Sequence, residues 1–402
     1  MLTVEEAQGR VLAEVPLLAP EEVALAEAHA RVLREDVRAS GDVPQADNSA
    51  MDGYAVRAAD VAGAPVALRV IGDLPAGTPP SIVVQPGTAI RIMTGALLPD
   101  GADAVAQVEI TDGGREVVVV REAIAAGTNV RRRGEDMHEG DVVLRSGAVI
   151  RAAEMGVLAA VQKQRVLVSR RPVLAVLSTG DELVDIDQPR GLGQVVNCNS
   201  YSLAALAVEA GAEVRRMGIV RDRRDDTMAA LESALEADFI LTSGGVSVGA
   251  WDFVKEALEA LGAETKFWRV AMKPGKPVVL STLRGRLCFG LPGNPVSCMV
   301  SFHLFVAPAI RKAMGRTDGI LPPTLRMPLA APVTAKGDRR AYLRVRVTPA
   351  SGALVAHPMR AQGSGVSTSM VGANGFAVIA EGVTRVEAGE VVEVVLFGAV
   401  VG

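Results

Sequence analysis

The chain has 402 residues and a formal net charge of −4 at pH 7, with 49% hydrophobic and 22% charged residues. This length predicts several domains, and the apolar content excludes wholesale disorder. Aromatic residues make up only 3%. Together with the negative net charge, this argues against a protein that stacks nucleic-acid bases or binds polyanions in general.

The cysteine count and the N-terminal segment bear on the cellular compartment. Three cysteines, Cys198, Cys288 and Cys298, are too few for a disulfide framework or a four-thiolate zinc site. The first residues form an acidic amphipathic pattern unlike a secretory signal, and the longest apolar stretch, 298–310, is too short to span a bilayer. We therefore expect a soluble cytoplasmic protein without membrane partners.

The first half of the chain predicts a helical module interrupted by a β insert. Apolar residues recur at helical spacing in two predicted helices, at Val4, Ala7, Val11 and Val15 and again at Val23, Ala26, Ala30 and Leu33. Short β-branched runs over 44–131 predict a small β domain, and a helical pattern returns at 151–162. We predict a discontinuous helical linker domain, 1–43 with 132–168, around an inserted β domain, 44–131.

The second half predicts two further domains. Buried strands alternate with amphipathic helices over 169–316, which indicates a doubly wound parallel sheet with ligands at the carboxyl ends of its strands. Short strands return over 317–402 and predict a β-barrel-like C-terminal domain. The fold class is therefore multidomain, α/β plus β.

Two polar turns follow strands of the predicted sheet. The first holds hydroxyls, a glycine and two carboxylates, at Ser178, Thr179, Gly180, Asp181 and Glu182. The second follows the predicted strand at 238–241 and holds small residues able to form an anion-binding nest, at Ser243, Gly244, Gly245 and Ser247. Each turn alone also fits an ordinary helix cap or a glycine-rich turn.

Two carboxylates accompany these turns. Asp252 lies just beyond the second turn, and Asp222 ends a predicted strand. A carboxylate beside a phosphate nest would repel the ligand unless a divalent cation compensates. The alternative reading of Asp252 is a helix cap with no further role.

Two proline-containing turns complete the predicted site. Lys273, Lys276 and Pro277 belong to a Lys-Pro-Gly-Lys-Pro turn whose two cations would converge on one oxyanion. The last turn supplies more anion-binding N–H groups before a helix, at Pro292, Gly293, Asn294 and Ser297. Four such turns in one sheet predict a phosphate- or nucleotide-binding site.

Taken in order, the motifs DNSAMDGYAV, RIMTGA, RRRGED, STGDEL, TSGGVSVG, KPGKP and LPGNPVS resemble the molybdopterin molybdenumtransferase family, which includes the C-terminal part of gephyrin. The resemblance covers nearly the whole chain. It implies an elongated homodimer of four-part subunits, with each active site between the α/β domain of one subunit and the front β domain of the other.

The implied reaction takes adenylylated molybdopterin and molybdate, cleaves the pyrophosphate with Mg²⁺, and releases AMP and the molybdenum cofactor. The resemblance implies an acidic and polar catalytic group at Asp52, Thr94, Asp136, Glu182, Asp222 and Asp252. Of these, Glu182, Asp222 and Asp252 are the expected Mg²⁺ ligands. It implies a molybdate pocket of Lys273, Lys276, Pro277, Ser297, Arg344 and Ser364. The expected protein partners are the adenylyltransferase and cofactor-accepting apoenzymes.

Two positions depart from the family pattern. Arg269 stands where some relatives have Lys, and Asn197 where an acid is common.

Two other classes of protein compete with this family as an explanation of the sequence. Enzymes that share only the α/β domain, namely the molybdopterin adenylyltransferase and the competence-damage deamidases, lack the DNSAMDGYAV motif and the C-terminal domain. The other competing class is a non-catalytic scaffold like gephyrin, and the acids Asp52, Asp222 and Asp252 favour catalysis over it.

Overall fold

The computed structural model describes residues 1–245, 253–350 and 352–400, and arranges their strands in eight sheets. The three largest sheets contain five, six and six strands. Within these described ranges, no helix is both long and apolar enough to cross a membrane.

The N-terminal segment contains one of the two helices predicted for it. Helix α1 (Val4–Glu14) begins with a capping box, in which Thr3 and Glu6 satisfy each other's backbone N–H groups. The second predicted helix is wrong, because strand β1 (Pro20–Ala24) pairs antiparallel with β11 (Arg165–Ser169). Farther on, the Leu33 N–H donates to the Ala148 carbonyl. Alanine, leucine and glutamate favour a helix here, but pairing with distant segments overrides this local preference.

The two segments of the predicted linker domain share one hydrophobic core. Val23, Leu33, Ile150, Leu158 and Val166 pack together in it. The later segment adds strand β10 (Val142–Leu144), which pairs with β2 (Val37–Arg38), and helix α3 (Ala152–Ala160). This region therefore contains more strand than the term helical domain implies.

The inserted segment forms a five-stranded sheet in the order β7-β4-β6-β5-β8. The short strands β3 and β9 of the same segment form a separate antiparallel pair. The elements of this segment are β3 (Asn48–Ser49), β4 (Gly53–Val56), α2 (Ala58–Val61), β5 (Val66–Leu74), β6 (Thr88–Ile92), β7 (Ala104–Gln107), β8 (Val117–Val120) and β9 (Val130–Arg131).

The α/β segment forms a six-stranded sheet in the order β15-β12-β16-β20-β19-β17. The first four strands are parallel, whereas β19 runs antiparallel to both of its neighbours, β20 and β17, so the all-parallel prediction is wrong at this strand. The six strands of this sheet are β12 (Val173–Thr179), β15 (Glu213–Val220), β16 (Phe239–Ser243), β17 (Glu264–Arg269), β19 (Pro277–Leu283) and β20 (Arg286–Leu291). Outside it, β13 (Leu183–Val184) pairs with β14 (Val195–Val196), and β18 (Met272–Lys273) belongs to the C-terminal sheet.

Helices cover both faces of this sheet, as buried parallel strands require. They are α4 (Cys198–Ala210), α5 (Arg224–Ser233), α6 (Phe253–Ala260), α7 (Pro295–Ser301) and α8 (Ala307–Ala313), with a π-helical turn (Phe302–Val306) between the last two. On one face α1 joins them, since Val4 and Val11 share a core with Leu203 and Phe305.

The C-terminal segment forms the second six-stranded sheet, with the path β18-β23-β25-β27-β21 and β24 paired to β23. A bridge between Leu329 and Ala356 brings the two ends of this sheet together. Strand β18 comes from the α/β segment, which joins the two segments at the Lys273 turn. The other strands of this sheet are β21 (Thr324–Pro328), β23 (Arg340–Ala350), β24 (Ala353–Pro358), β25 (Gly375–Ile379) and β27 (Val391–Leu396). A separate antiparallel pair is formed by β22 (Val333–Thr334) and β26 (Arg385–Val386).

Candidate active site

A cavity of about 710 Å³ opens at the carboxyl ends of β12, β16 and β20. The chain passes from β12 to β15 on one side and then to β16 on the other, so this is the crevice where strand order reverses. We call it the first cavity. Its walls include many of the predicted residues: Thr179, Gly180, Glu182, Asp222, Ser243, Gly244, Gly245, Pro277, Pro292, Gly293 and Asn294.

The two adjacent glycines of the second turn are required by geometry. Gly244 and Gly245 have φ angles of +95° and +64°, which residues other than glycine rarely adopt. A Cβ on Gly244 would lie 2.8 Å from the Thr179 carbonyl oxygen. The backbone of this turn therefore approaches the end of β12 more closely than any other residue type would allow.

Asn199 fixes the turns of the first cavity to one another. Its Nδ2 donates to Ser243 Oγ and to the Gly293 carbonyl, both at 2.8 Å. One side chain from α4 thus connects the turns after β16 and β20. The buried Thr179 hydroxyl, also on the cavity wall, has no hydrogen-bond partner within the described part of the chain, and so remains free to bind a ligand.

Two carboxylates line the same cavity. Partial burial raises the pKa of Asp222 above its ordinary value, and the like charges of Asp181 and Glu182 raise it further. A hydrogen bond from the Asp181 N–H opposes these effects. Burial and like charges disfavour the ionised carboxylate, and a bound cation would favour it. Glu182 and Asp222 therefore fit an oxygen-ligated divalent ion.

The described residues by themselves do not complete a metal site. Among them no cluster of three or more His, Cys, Asp or Glu residues could hold an ion. The third predicted ligand, Asp252, lies outside the described residues, as does the predicted substrate contact Ser247. Two other predicted contacts do not line the cavity: Ser178, which is buried within β12, and Asp181, which is exposed.

A second cavity, of about 430 Å³, lies between the α/β and C-terminal segments. It shares Pro277, Pro292 and Asn294 with the first cavity, so the two adjoin. Because β19 runs antiparallel to β20, its first residue lies at the carboxyl end of the sheet. The second cavity contains five of the six residues predicted for the oxyanion: Lys273, Pro277, Ser297, Arg344 and Ser364.

Arg344 is the most unusual residue of the second cavity, because its side chain is fully buried. Its Nε donates to Ser369 Oγ at 3.2 Å, and its Nη2 donates to the carbonyls of Ala361 and Gly363 at 3.1 and 3.2 Å. Nη1 is buried and, within the described ranges, unpartnered. Burial lowers the pKa of this guanidinium to about 10. The unpartnered Nη1 and the cost of burying the charge both indicate that an anionic ligand would stabilise this guanidinium.

Lys276 is separated from the other five residues. It is exposed and lines a different surface cavity with Arg10, Lys266 and Arg269. Successive side chains of an extended segment point to opposite sides. Since Pro277 faces the two adjoining cavities, its neighbour faces away from them. Within one chain the two lysines of this turn therefore line different cavities, and their convergence on one oxyanion stays a prediction.

The front residues Asp52, Thr94 and Asp136 do not reach either cavity within one chain, and all three are exposed. Asp52 and Thr94 nevertheless meet, because the Thr94 N–H and hydroxyl both donate to Asp52 Oδ1 at 2.7 Å. These two hydrogen bonds lower the pKa of Asp52 below its ordinary value. Most of the predicted residues therefore fall into two separate groups. The first lines the two adjoining cavities, and the second lies in the front segment and includes the Asp52–Thr94 pair.

Several wall residues of the first cavity carry no motif that would identify them from sequence. Val195 and Val196 form β14, which pairs with β13 beside the STGDEL turn. Gly365 and Ser367 come from the C-terminal segment. A two-residue strand inside a polar loop is too short for a period to be recognised, so only the pairing reveals it.

Three family models match the chain in succession. The MoeA N-terminal region (domain I and II) matches residues 2–161, the probable molybdopterin binding domain matches 175–312, and the MoeA C-terminal region (domain IV) matches 326–397. Together they describe a multidomain protein built around a molybdopterin-binding type of α/β fold, and most of the residues that line the first cavity belong to the second match.

Individual relatives agree along their whole length. The chain is 40% identical to molybdopterin molybdenumtransferase 2 of Mycobacterium tuberculosis, over 98% of this chain and 99% of that one. It is 36% identical to the molybdopterin molybdenumtransferase of Bacillus subtilis, over 98% and 94%. The crystal structure of the molybdopterin biosynthesis moeA protein from Pyrococcus horikoshii superposes with a TM-score of 0.81 at 34% identity, covering 99% and 100%. The chain belongs to the molybdopterin molybdenumtransferase family, a family of transferases.

Proposed function

We propose that this transferase inserts molybdenum from molybdate into adenylylated molybdopterin, cleaving the pyrophosphate and releasing AMP. The observation that carries the proposal is Arg344 Nη1, a buried cationic donor without a partner in the described chain, on the wall of a cavity that adjoins a nucleotide-sized crevice. The names of the relatives, as molybdopterin molybdenumtransferases, support the choice of substrate.

The two cavities would divide the substrates between them. The first cavity, about 710 Å³ and lined by glycine turns, would hold the pterin nucleotide with its phosphates against backbone N–H groups. The second cavity would hold molybdate between Lys273, Ser297 and Arg344. Pro277 and Asn294 lie on the boundary, so the oxyanion would be delivered next to the pterin end of the bound nucleotide.

Magnesium would bind to Glu182 and Asp222, with Asp252 as the third expected ligand. When bound, the ion would neutralise phosphate charge during pyrophosphate cleavage. Residues of the chain would bind the ion and the two substrates. Glu182 and Asp222 present oxygen ligands, the Gly244–Gly245 turn allows the phosphates to approach the backbone, and Arg344 holds the oxyanion in a site shielded from water.

The second group of residues would enter from another subunit. Asp52 and Thr94 form an exposed hydrogen-bonded pair, and neither cavity of the same chain includes them. A homodimer that places this pair and Asp136 over the first cavity of the other subunit would complete the acidic set. Contacts with the adenylyltransferase and with cofactor-accepting apoenzymes, in the cytoplasm, complete the proposed role.

The decisive experiment is an assay of AMP release from adenylylated molybdopterin by the purified protein, with and without molybdate and Mg²⁺. We expect release that depends on both, and its abolition by Asp222→Asn in a protein that remains folded. AMP release at background level from the wild-type protein under these conditions would refute the proposed reaction.

A further inference from the structure

Asn197 lies at the N-terminus of α4, on the wall of the first cavity. Its side chain is only 2% exposed although the residue lines the cavity. Its backbone is fixed, since the Asn197 N–H donates to the Val184 carbonyl at 2.9 Å and the Asn197 carbonyl accepts from Ser200 Oγ at 3.3 Å. The residue is therefore held by its neighbours before any ligand binds.

The orientation of the Asn197 amide follows from its capping role. Its Oδ1 accepts from the Ser200 N–H at 3.4 Å, as an N-cap does, and only the oxygen end of the amide can do so. Nδ2 is then the remaining end. It is buried and has no hydrogen-bond partner within the described ranges. A buried donor without an acceptor destabilises the folded protein, which indicates that a ligand atom accepts a hydrogen bond from Nδ2.

Other donors at the same helix end point to the chemistry of that ligand. Cys198 and Asn199 occupy the first turn of α4, where backbone N–H groups have no acceptor within the helix. The 13-residue helix also places partial positive charge there. A neutral acceptor would use one donor, whereas a phosphoryl oxygen uses several donors and the charge.

We propose that Asn197 Nδ2 and the first turn of α4 bind a phosphoryl oxygen of the nucleotide, which makes Asn197 a residue that selects phosphorylated ligands. The proposal rests on the proposed function in taking a nucleotide as the occupant of the first cavity. Glu182 and Asp222, on the same walls, would repel a phosphate. A neutral amide donor at position 197 offsets that repulsion, whereas a third carboxylate would increase it.

The test is isothermal titration of the full-length protein with AMP and with adenosine, in EDTA and in Mg²⁺. Asn197→Ser and Asn197→Asp both keep an N-cap acceptor and remove the Nδ2 donor, so α4 stays capped. We expect wild-type protein to prefer AMP, and Asn197→Ser to weaken AMP binding about tenfold with adenosine unchanged. Asn197→Asp should weaken AMP binding further in EDTA, with partial recovery in Mg²⁺.

Three results would overturn the assignment: wild-type protein that binds AMP no better than adenosine, an Asn197→Ser variant that loses both ligands equally, or an Asn197→Asp variant that binds AMP normally in EDTA. Thermal unfolding of both variants at the wild-type temperature verifies the fold. The AMP selectivity is measured without molybdate or pterin. A protein that shows it but fails the AMP-release assay would contradict only the proposed reaction, and the reverse pattern would contradict only the role of Asn197.

Discussion

Thr94 donates two hydrogen bonds to a single oxygen of Asp52, one from its backbone N–H and one from its hydroxyl, each 2.7 Å long. The two residues are 42 positions apart and come from different motifs of the front segment. Both are exposed, so the pair contributes little to the core. The bonds instead fix the direction of one carboxylate and keep it ionised.

We predict that Thr94→Ala lowers the rate of molybdate-dependent AMP release about tenfold, whereas Thr94→Ser retains most of it. Loss of the hydroxyl raises the pKa of Asp52 toward its ordinary value, because that hydrogen bond stabilises the carboxylate. The acid limb of the pH–rate profile should therefore move to higher pH in Thr94→Ala. An unchanged profile and rate would show that the pair has no part in the reaction.

A mixed dimer tests the placement of this pair over another subunit's cavity. Asp52→Asn and Asp222→Asn should each abolish AMP release. When the two inactive variants are co-expressed, half of the dimers are mixed and each mixed dimer has one site with both native acids, so about a quarter of the wild-type activity should return. Tandem tags on the two variants allow the mixed dimer to be isolated. Absence of activity in that species would place both acids in a site of one chain.

Arg344 should determine molybdate binding without affecting the nucleotide. We expect Arg344→Ala to weaken molybdate binding about a hundredfold and Arg344→Lys to have an intermediate effect, because Lys keeps the charge but loses the planar fork. AMP affinity should stay at the wild-type value. Arg346→Ala, at an exposed position two residues along the same strand, is the matched control. Equal effects of the Arg344 and Arg346 changes would contradict the assignment.

The two lysines of the KPGKP turn should differ. Lys273 lines the second cavity and Lys276 does not. Lys273→Ala should therefore weaken molybdate binding about tenfold, while Lys276→Ala changes it less than twofold. Titration of both variants with molybdate in one buffer gives the comparison. Losses of similar size would indicate that Lys276 reaches the oxyanion after a rearrangement or from another subunit.

The buried side chain of His303, at the junction of the α/β and C-terminal segments, should make the folded protein less stable in acid. Its ring stacks on Phe397 with centroids 4.6 Å apart and meets Phe376 edge-on. Burial lowers its pKa to about 4, and nearby Arg311 adds to the effect. The native state therefore keeps the ring neutral while the unfolded chain protonates near its ordinary pKa. Stability is lost as the pH falls from about 6.5 to 4.

Between pH 7 and pH 5 this difference amounts to roughly 2 kcal/mol of unfolding free energy. Urea unfolding at both pH values should show that loss in the wild-type protein and a smaller one in His303→Gln. The control is His357→Gln, because that side chain is exposed. An identical pH dependence for His303→Gln and wild type would exclude His303 as the cause.

Much of the fold could be predicted because local patterns encode local structure. The helices α1, α3 and α4 and the strand β12 lie where apolar spacing predicts them. The prediction failed at β1, where pairing with β11 supplies hydrogen bonds that no local pattern contains. It failed again at β19, because the direction of a strand depends on the connection that precedes it.

The sequence by itself determined the chemistry of the turns. Glycines that tolerate positive φ, carboxylates at strand ends and a Lys-Pro-Gly-Lys-Pro turn can be identified from residue types alone. Only the tertiary structure decided which of them meet. The strand order brings the ends of β12, β16 and β20 around one cavity, and the C-terminal sheet buries Arg344 beside it. Side-chain alternation directs Lys276 elsewhere, because the direction of a side chain depends on backbone geometry as well as on residue type.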